Sequence, residues 1–167
     1  MKKLIILRHA NAEKNSDKKD FDRILKEKGI LAAKQMSKSL QKIVPSIDLI
    51  VSSAAIRAKE TAEIFKTTAF KNTPIVLEKD LYYLQFTNLF YDFLYELEDD
   101  METVLFVGHN PIFTFLAQSL SGNPNLFLYP ASFLVVYFET DQWIQANNNT
   151  VKNTVFVNSK TIKKDND

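Results

Sequence analysis

Short runs of apolar residues recur along the chain, and segments in which apolar residues repeat at helical spacing separate them. Five of the runs are bounded mostly by proline, serine, glycine or asparagine, a pattern that predicts buried β-strands. They are residues 4–7, 49–51, 75–77, 104–107 and 133–138. Two later stretches, 143–145 and 154–157, are also strand-like, which predicts an antiparallel hairpin or edge that completes the sheet.

Four amphipathic helices are predicted between the strands, because their apolar residues fall on one side of a helix. The first begins after Gly29 and ends at Pro45. The fourth has Asn110 and Pro111 as suitable N-cap and N1 residues, and Gly122 can end it. The apolar faces are Ala33, Met36, Leu40 and Val44 in the first helix, Ala58, Ala62 and Phe65 in the second, Leu89, Phe90, Phe93, Leu94 and Leu97 in the third, and Ile112, Phe113, Leu116 and Leu120 in the fourth. This alternation predicts an α/β fold, a doubly wound three-layer sandwich whose central sheet is mostly parallel with an antiparallel edge strand.

The length of 167 residues suits one hydrophobic core. We expect a single domain over residues 1–160 and a solvated tail over residues 161–167. One long polar connection, about residues 10–25, lies between the first strand and the first helix. Loops of that length are uncommon in compact domains and are often functional, so we expect it to form a wall of a site.

Composition argues against several classes of function. Lys and Arg total 21 and Asp and Glu total 20, with no long block of one sign, which argues against nucleic-acid binding. The absence of cysteine excludes disulfides, a thiolate nucleophile and Cys-ligated metals. No apolar window approaches the roughly 18–20 residues of a membrane span, and the first run is shorter than a signal peptide requires. We expect a cytoplasmic protein that binds neither nucleic acid nor membrane.

Both histidines of the chain lie at the carboxyl ends of predicted strands. His9 follows the first strand with Arg8 between, His109 follows the fourth, and Arg57 lies just past the second. Ligands of open α/β sheets bind beyond these strand ends. The forked donors of arginine match phosphate oxygens, and nearby helix N-termini add free backbone N–H groups. The pattern predicts a site for a phosphoryl group.

A neutral imidazole in such a site can attack phosphorus and carry the phosphoryl group covalently, which divides one difficult transfer into two easier ones. One histidine would be the nucleophile, and the other would stabilise charge on the phosphoryl oxygens together with both arginines. We expect no cofactor and no metal, because carboxylates are not gathered at the strand ends. Taken singly, each residue has a structural explanation, such as a hydrogen-bonding histidine or a surface arginine. Their coincidence at one sheet edge favours the site.

Three stretches in this order, LIILRHANAE, SSAAIRAKETAEIF and TVLFVGHNPIFTFLAQSLSG, resemble the histidine phosphatase superfamily, also called phosphoglycerate mutase-like. Within it the chain is most similar to the small SixA-type phosphohistidine phosphatases. DFDRILKEKG before the first helix is typical of that branch, and YPASFLVVYFETDQW extends the resemblance towards the end of the chain. Ala10 stands where the family's Arg-His-Gly motif has glycine, a substitution common in the branch.

The resemblance implies that His9 is the nucleophile that becomes phosphorylated. It also implies that Arg8 and Arg57 hold the phosphoryl oxygens, that His109 supports the transition state from the other side, and that no metal takes part. Less central candidates for phosphate contacts are Asn15, Ser16 and Asn110.

One departure from the family concerns the proton donor. Relatives often carry a glutamate where this chain has Tyr83. A phosphoramidate can leave as neutral imidazole when its other nitrogen is already protonated, so it depends less on a strong general acid than an alcohol does. Candidate substitutes in the long loop are Glu13, Asp17 and Asp22.

These observations favour a metal-independent phosphatase that acts on a phosphohistidine of a partner protein in signal transduction. The short chain supports this reading, because insertions that would enclose a small substrate are not visible. A small-molecule phosphomonoester phosphatase and a phosphate-binding regulatory module without turnover are the alternatives.

Overall fold

The fold is described by a computed structural model that covers residues 1–14, 17 and 19–162. In this part of the chain, six strands alternate at first with four α-helices. They are β1 (Lys2–Arg8), α1 (Glu27–Ile43), β2 (Leu49–Ser53), α2 (Ile56–Ala69), β3 (Ile75–Glu78), α3 (Asn88–Tyr95), β4 (Thr103–Gly108), α4 (Ile112–Ser121), β5 (Phe133–Phe138) and β6 (Val151–Val157). Single 3₁₀ turns lie at Asp20–Asp22, Trp143–Gln145 and Asn148–Thr150.

The strands form one mixed sheet in the order β3-β2-β4-β1-β5-β6. The first four are parallel, whereas β5 runs antiparallel to β1 and β6 antiparallel to β5. This confirms the predicted α/β fold, with its antiparallel pairing at one end of the sheet. Because β1 and β4 are neighbours, the residues that follow them meet at the same edge.

Helices cover both faces of the sheet. The buried side chains of α1 and α2 pack on one face and those of α3 and α4 on the other, which gives the three predicted layers. The apolar faces predicted for the first, second and fourth helices are buried. Each strand near the centre therefore contributes side chains to both cores, as continuous apolar runs such as residues 4–7 predict.

The prediction of a strand at residues 143–145 is wrong, because this segment forms a 3₁₀ turn. Trp143 is fully buried, and its indole Nε1–H donates to the carbonyl of Met101 at 2.8 Å. Its backbone N–H donates to the carboxylate of Asp99 at 2.7 Å. These bonds fix the turn against the connection before β4, so its backbone is not free to join the sheet.

The edge formed by β3 and α3 is less buried than its apolar sequence predicts. Val76 and Leu77 of β3 are each 42% exposed. In α3, Phe90 and Leu94 are buried, but Leu89 is 41% exposed. The reason is position, because β3 is the last strand on its side of the sheet and pairs only with β2.

Two predicted helix starts also differ. The first helix begins at Glu27 and includes Gly29, because the long loop packs against this turn. The fourth begins at Ile112 with Pro111 as its N-cap residue, and Asn110 supplies no side-chain cap. Gly122 ends that helix in the left-handed conformation, as predicted.

Within the described residues, no helix is both long and apolar enough to cross a membrane. The division into a domain of residues 1–160 and a tail of residues 161–167 stays a prediction, and residues 163–167 lie outside the described part of the chain.

The long loop after β1 folds back on itself and rests on α1. Ala12 pairs with Leu25 in an antiparallel bridge, and the carbonyl of Asn11 accepts from the N–H of Lys26 at 2.9 Å. A Cβ at Gly29 would overlap that carbonyl. The path of this loop, which forms a wall of the site, therefore requires glycine at position 29.

We expect Gly29→Ala to lower the free energy of unfolding by about 1–3 kcal/mol, because the added methyl must displace a backbone carbonyl. In an ordinary helix interior the same change stabilises by roughly 0.5–1 kcal/mol. Urea unfolding measures the difference, with Lys28→Ala at the exposed neighbouring position as control. A stabilised Gly29→Ala protein would contradict this packing.

Candidate active site

The ends of β1, β2 and β4 border a cavity of about 470 Å³. Its lining contains all four residues predicted to carry the chemistry, Arg8, His9, Arg57 and His109. Arg8 and Gly108, the last residues of β1 and β4, lie opposite each other, and a histidine directly follows each strand. Their ring centres lie 5.1 Å apart. The structure thus brings the four side chains together.

Two partners determine the tautomer of His9. Nδ1 lies 2.8 Å from the carbonyl oxygen of Ala10, which can only accept, so Nδ1 carries the hydrogen. Nε2 accepts a hydrogen bond from Nε–H of Arg57 at 3.2 Å. Nε2 is therefore unprotonated and its lone pair accepts the Arg57 hydrogen bond, and this is the ring nitrogen that can attack phosphorus once that bond is released.

The backbone around His9 is anchored to α2. The hydroxyl of Thr61 accepts from the N–H of Ala10 at 3.0 Å and donates to the carbonyl of Arg57 at 2.7 Å. On the other side, the N–H of His9 donates to the carbonyl of Gly108 at 3.0 Å. One buried hydroxyl therefore connects the strand end that carries His9 to the helix that carries Arg57.

His109 is oriented by Ser53, the last residue of β2. The Ser53 hydroxyl lies 2.7 Å from Nε2 of His109 and also accepts from the N–H of Ala55 at 3.3 Å. This pattern favours donation of the hydroxyl hydrogen to Nε2, which leaves the hydrogen of the neutral ring on Nδ1. Among the described residues, that buried Nδ1 has no hydrogen-bond partner.

Burial keeps both histidines neutral. Desolvation, followed by the charge of His109 and of the arginines, holds the pKa of His9 well below its usual value. Desolvation and then the charge of Arg57 lower the pKa of His109 from 6.5 to about 3. At neutral pH the cavity is thus bordered by two neutral imidazoles, and Nε2 of His9 is unprotonated.

Arg57 is 4% exposed, and all of its guanidinium nitrogens have partners. Besides the bond to His9, Nη1 donates to the backbone carbonyl of Asp20 at 2.6 Å and Nη2 to the Asp20 carboxylate at 3.0 Å. The carboxylate is a planar anion on the donor fork that a phosphoryl group would use. Asp20 and an incoming phosphoryl group therefore compete for Arg57.

Asp20 is the site residue that the sequence did not single out. Its carboxylate also accepts from Nε of Arg23 at 2.8 Å and from the hydroxyl of Tyr82 at 2.7 Å. Burial alone raises the pKa of this carboxyl, but the bonds from Tyr82 and Arg23 and the charge of Arg57 lower it to about 2. The available sequence signal for Asp20 is its spacing of three residues from Arg23 in DFDRILKEKG. The contact with Tyr82 leaves no local pattern, because it joins residues 62 apart.

Arg8 is held by the loop that leads to β5. Its Nη1 donates to the carbonyl of Leu128 at 2.9 Å, and its buried Nε has no hydrogen-bond partner among the described residues. The amide of Asn110 donates to the same carbonyl at 3.1 Å and accepts from the hydroxyl of Thr114 at 2.9 Å. That hydroxyl in turn accepts from the N–H of Leu128 at 3.2 Å. Asn110 thus borders the cavity, but its amide is engaged in positioning the loop that holds Arg8.

Of the three remaining candidate residues, Asn15, Ser16 and Tyr83, the structure describes only Tyr83. Asn15 and Ser16 lie outside the described residues, so their phosphate contacts stay a prediction. Tyr83 is 66% exposed, and the preceding Tyr82 faces the site, with its ring edge-to-face against His109 at 5.4 Å.

Three acidic residues were candidate substitutes for the usual proton donor. Glu13, Asp17 and Asp22 are not among the residues that line the cavity, and the carboxylate that does so is that of Asp20.

Residues 4–89 match the family model of the histidine phosphatase superfamily, branch 1. The match covers more than half of the 167 residues, and the chain belongs to this superfamily. Membership supports a phosphatase, a class of hydrolase, and therefore a phosphorylated substrate.

Solved structures place the chain beside the SixA-type branch. A protein assigned as phosphohistidine phosphatase SixA from Agrobacterium tumefaciens is 25% identical, with a TM-score of 0.72 over 81% of this chain and 90% of that chain. One assigned likewise from Nakamurella multipartitia is 21% identical, with a TM-score of 0.74 over 92% and 95% of the two chains. The protein histidine phosphatase SixA complexed with tungstate is 20% identical, with a TM-score of 0.73 over 93% and 94%. No curated protein matches the chain.

We expect Ser53→Ala to lower kcat/KM about 10-fold or more, because Nε2 of His109 loses its buried partner and the tautomer is no longer fixed. Ser53→Thr keeps a hydroxyl and should restore part of the activity. Ser52→Ala is the matched control, since the Ser52 hydroxyl donates to the carbonyl of Ser53 and not to His109. Equal activity of Ser53→Ala and Ser52→Ala would contradict the role of this bond.

Neither histidine should titrate near 6.5 in the folded protein. Because unfolded histidines bind a proton near pH 6.5 and the buried rings do not, the free energy of unfolding should fall as the pH is lowered from 6.5 towards 3. NMR titration of the imidazole signals measures both midpoints directly, since the chain has 2 histidines and His109→Gln assigns them. A native signal with a midpoint near 6.5 would refute the neutral pair.

Proposed function

We propose that this protein is a metal-independent protein phosphohistidine phosphatase that works through a phosphorylated His9. The observation that carries the proposal is the unprotonated Nε2 of His9, which accepts a hydrogen bond from Arg57 at 3.2 Å, in a ring whose centre lies 5.1 Å from that of His109. The intact set of four side chains supports turnover over a binding module without it.

The reaction follows from this geometry in two displacements. Nε2 of His9 attacks phosphorus, the bond from phosphorus to the substrate nitrogen breaks, and the substrate leaves as neutral imidazole when its other nitrogen is already protonated. The positive charge on His9 is stabilised by the bond from Nδ1–H to the carbonyl of Ala10. Water then attacks the phospho-His9, which releases phosphate and restores the ring.

Charge on the transferring group is stabilised by Arg8, Arg57 and His109, which line the cavity. The buried Nε of Arg8 and Nδ1 of His109 are without partners among the described residues, and Arg57 lies beside the nucleophile. Donors fixed in a low-dielectric site before the reaction need little reorganisation, which makes them effective in phosphoryl transfer. The phosphoryl group must displace the Asp20 carboxylate from part of the Arg57 fork.

The choice between a phosphoramidate and an alcohol phosphate as substrate depends on the proton donor that the site offers. With its pKa near 2, Asp20 is ionised at neutral pH and is a poor proton donor in this arrangement. Tyr83, at the position where relatives often have glutamate, is exposed and lies outside the cavity lining. A phosphoramidate needs a general acid least, so phosphohistidine fits the site better than an alcohol phosphate.

Brief exposure to a phosphohistidine protein should place acid-labile, alkali-stable phosphate on His9, as mass spectrometry and radiolabelling detect. His9→Asn should lose essentially all turnover, because no other group at this position can attack phosphorus. His109→Gln is the second variant, in which labelling persists but turnover slows. Full activity of His9→Asn would exclude the mechanism.

A substrate panel separates the substrate classes. kcat/KM for phosphohistidine protein should exceed that for p-nitrophenyl phosphate and for phosphoglycerate, with or without a chelator. A preference for phosphoglycerate would assign a small-molecule phosphatase on the same site, and loss of activity with the chelator would contradict metal independence.

A further inference from the structure

A second cavity of about 500 Å³ lies along α3 and the end of β3. We call it the acidic groove. Its apolar lining is formed by Tyr83, Leu84, Leu89 and Phe93. Tyr83 is 66% and Leu89 41% exposed, and the two residues that precede the groove on β3, Val76 and Leu77, are 42% exposed. Contiguous exposed apolar surface of this kind is characteristic of interaction sites.

The polar lining of the groove has one sign of charge. It consists of Glu78, Asp80, Asp92 and Glu96, with no lysine or arginine. None of these carboxylates forms a salt bridge with another described residue. Four carboxylates around an apolar surface repel one another and attract cations. The chemistry of the groove therefore matches a segment that combines Lys or Arg with large apolar side chains.

Two adjacent tyrosines, Tyr82 and Tyr83, link the acidic groove to the residues of the catalytic cavity. The rings of Tyr82 and Tyr83 lie 5.0 Å apart, and Tyr82 contacts His109 at 5.4 Å between ring centres. The catalytic cavity has the opposite charge pattern, because three arginines and one lysine line it against one carboxylate. A ligand that occupies both has an anionic phosphoryl group and, beside it, a cationic and apolar flank.

We propose that the acidic groove docks the basic, apolar flank of the phosphorylated protein substrate. This inference rests on the proposed function and adds the surface that distinguishes a protein substrate from a free phosphate ester, which has no flank to reach α3. A symmetric contact with a second copy is disfavoured, because it would place four carboxylates against four carboxylates.

Two synthetic peptides with a central phosphohistidine test the inference. One carries Lys and Leu around it, and in the other Glu replaces each Lys. The Lys–Leu peptide should have a KM about 5-fold or more below that of the Glu–Leu peptide, a ratio that falls with added salt. Equal KM values for the two peptides would overturn the proposal.

The groove variant is Asp92→Asn/Glu96→Gln, which keeps the shape of two exposed side chains, one on α3 and one directly after it, and removes their charge. It should raise KM for the Lys–Leu peptide about 3- to 10-fold, with kcat and all constants for p-nitrophenyl phosphate unchanged. The matched control, Glu27→Gln/Glu63→Gln, removes two exposed charges from α1 and α2 on the opposite face and should leave the peptide KM unchanged. Equal effects of the two variants would assign the preference to net charge and overturn the docking surface.

Direct binding separates this inference from the proposed function. Fluorescence anisotropy of the labelled, unphosphorylated Lys–Leu peptide reports the groove without any turnover. If p-nitrophenyl phosphate is hydrolysed and neither phosphopeptide is, the phosphohistidine substrate is wrong, and weaker anisotropy binding by the groove variant still supports the surface. Absence of binding to the unaltered protein overturns it. Sedimentation velocity tests the other occupant, a second copy of the chain: a dimer of the unaltered protein that Asp92→Asn/Glu96→Gln tightens, by removing carboxylate repulsion, would assign the groove to that copy and overturn the proposal.

Discussion

The parallel pairing of β1 with β4 is the constraint on which the site depends. Its register sets Arg8 opposite Gly108, so the two histidines that directly follow these strands lie side by side at one edge of the sheet. The pairing continues past the strands, because the N–H of His9 donates to the carbonyl of Gly108. Gly108 also has to be small, since a Cβ there would overlap the ring of Phe113. A shift of register would separate the two rings, and each would revert to an isolated histidine at a strand end.

Buried positive charge is the second organising feature. Arg57 is almost fully buried, and its donors are divided among His9, a backbone carbonyl and the Asp20 carboxylate. The cost of burying a guanidinium is thereby offset by hydrogen bonds and one opposite charge. The same cation lowers the pKa of both histidines, so the arrangement that satisfies Arg57 also keeps the rings neutral. The hydrogen bonds that stabilise buried Arg57 thus belong to the same network that surrounds the two neutral histidines.

The two ends of the sheet are finished differently. At one end β5 and β6 extend the sheet by antiparallel pairing. At the other end β3 pairs only with β2. Helix α3 covers only part of this edge, and the acidic groove lies along the helix and the end of β3. Exposed edge strands are usually protected by charge. Here four carboxylates line the acidic groove beside this edge, next to a cavity lined by arginines.

The sequence by itself determined the alternation of strands and helices, because an apolar run bounded by turn residues and an apolar stripe at helical spacing are local patterns. It also predicted central residues of the candidate site, since Arg8, His9 and His109 are placed directly by the strands that they end or follow. It overestimated the burial of β3 and α3, because apolar residues have the same local pattern at the edge of a sheet as at its centre. It also assigned a strand to residues 143–145, where long-range bonds from Trp143 to the segment before β4 impose a turn.

Only the tertiary structure decided which groups complete the site. The contacts of Asp20 with Arg57 and Tyr82 join residues 37 and 62 apart, and the bond from Ser53 to His109 joins residues 56 apart. Such contacts depend on strand order and loop path, which local patterns do not encode. The neutral state of the histidines follows from these contacts and from burial, so residue types predicted a phosphoryl site, whereas packing determined which nitrogen of His9 carries the hydrogen.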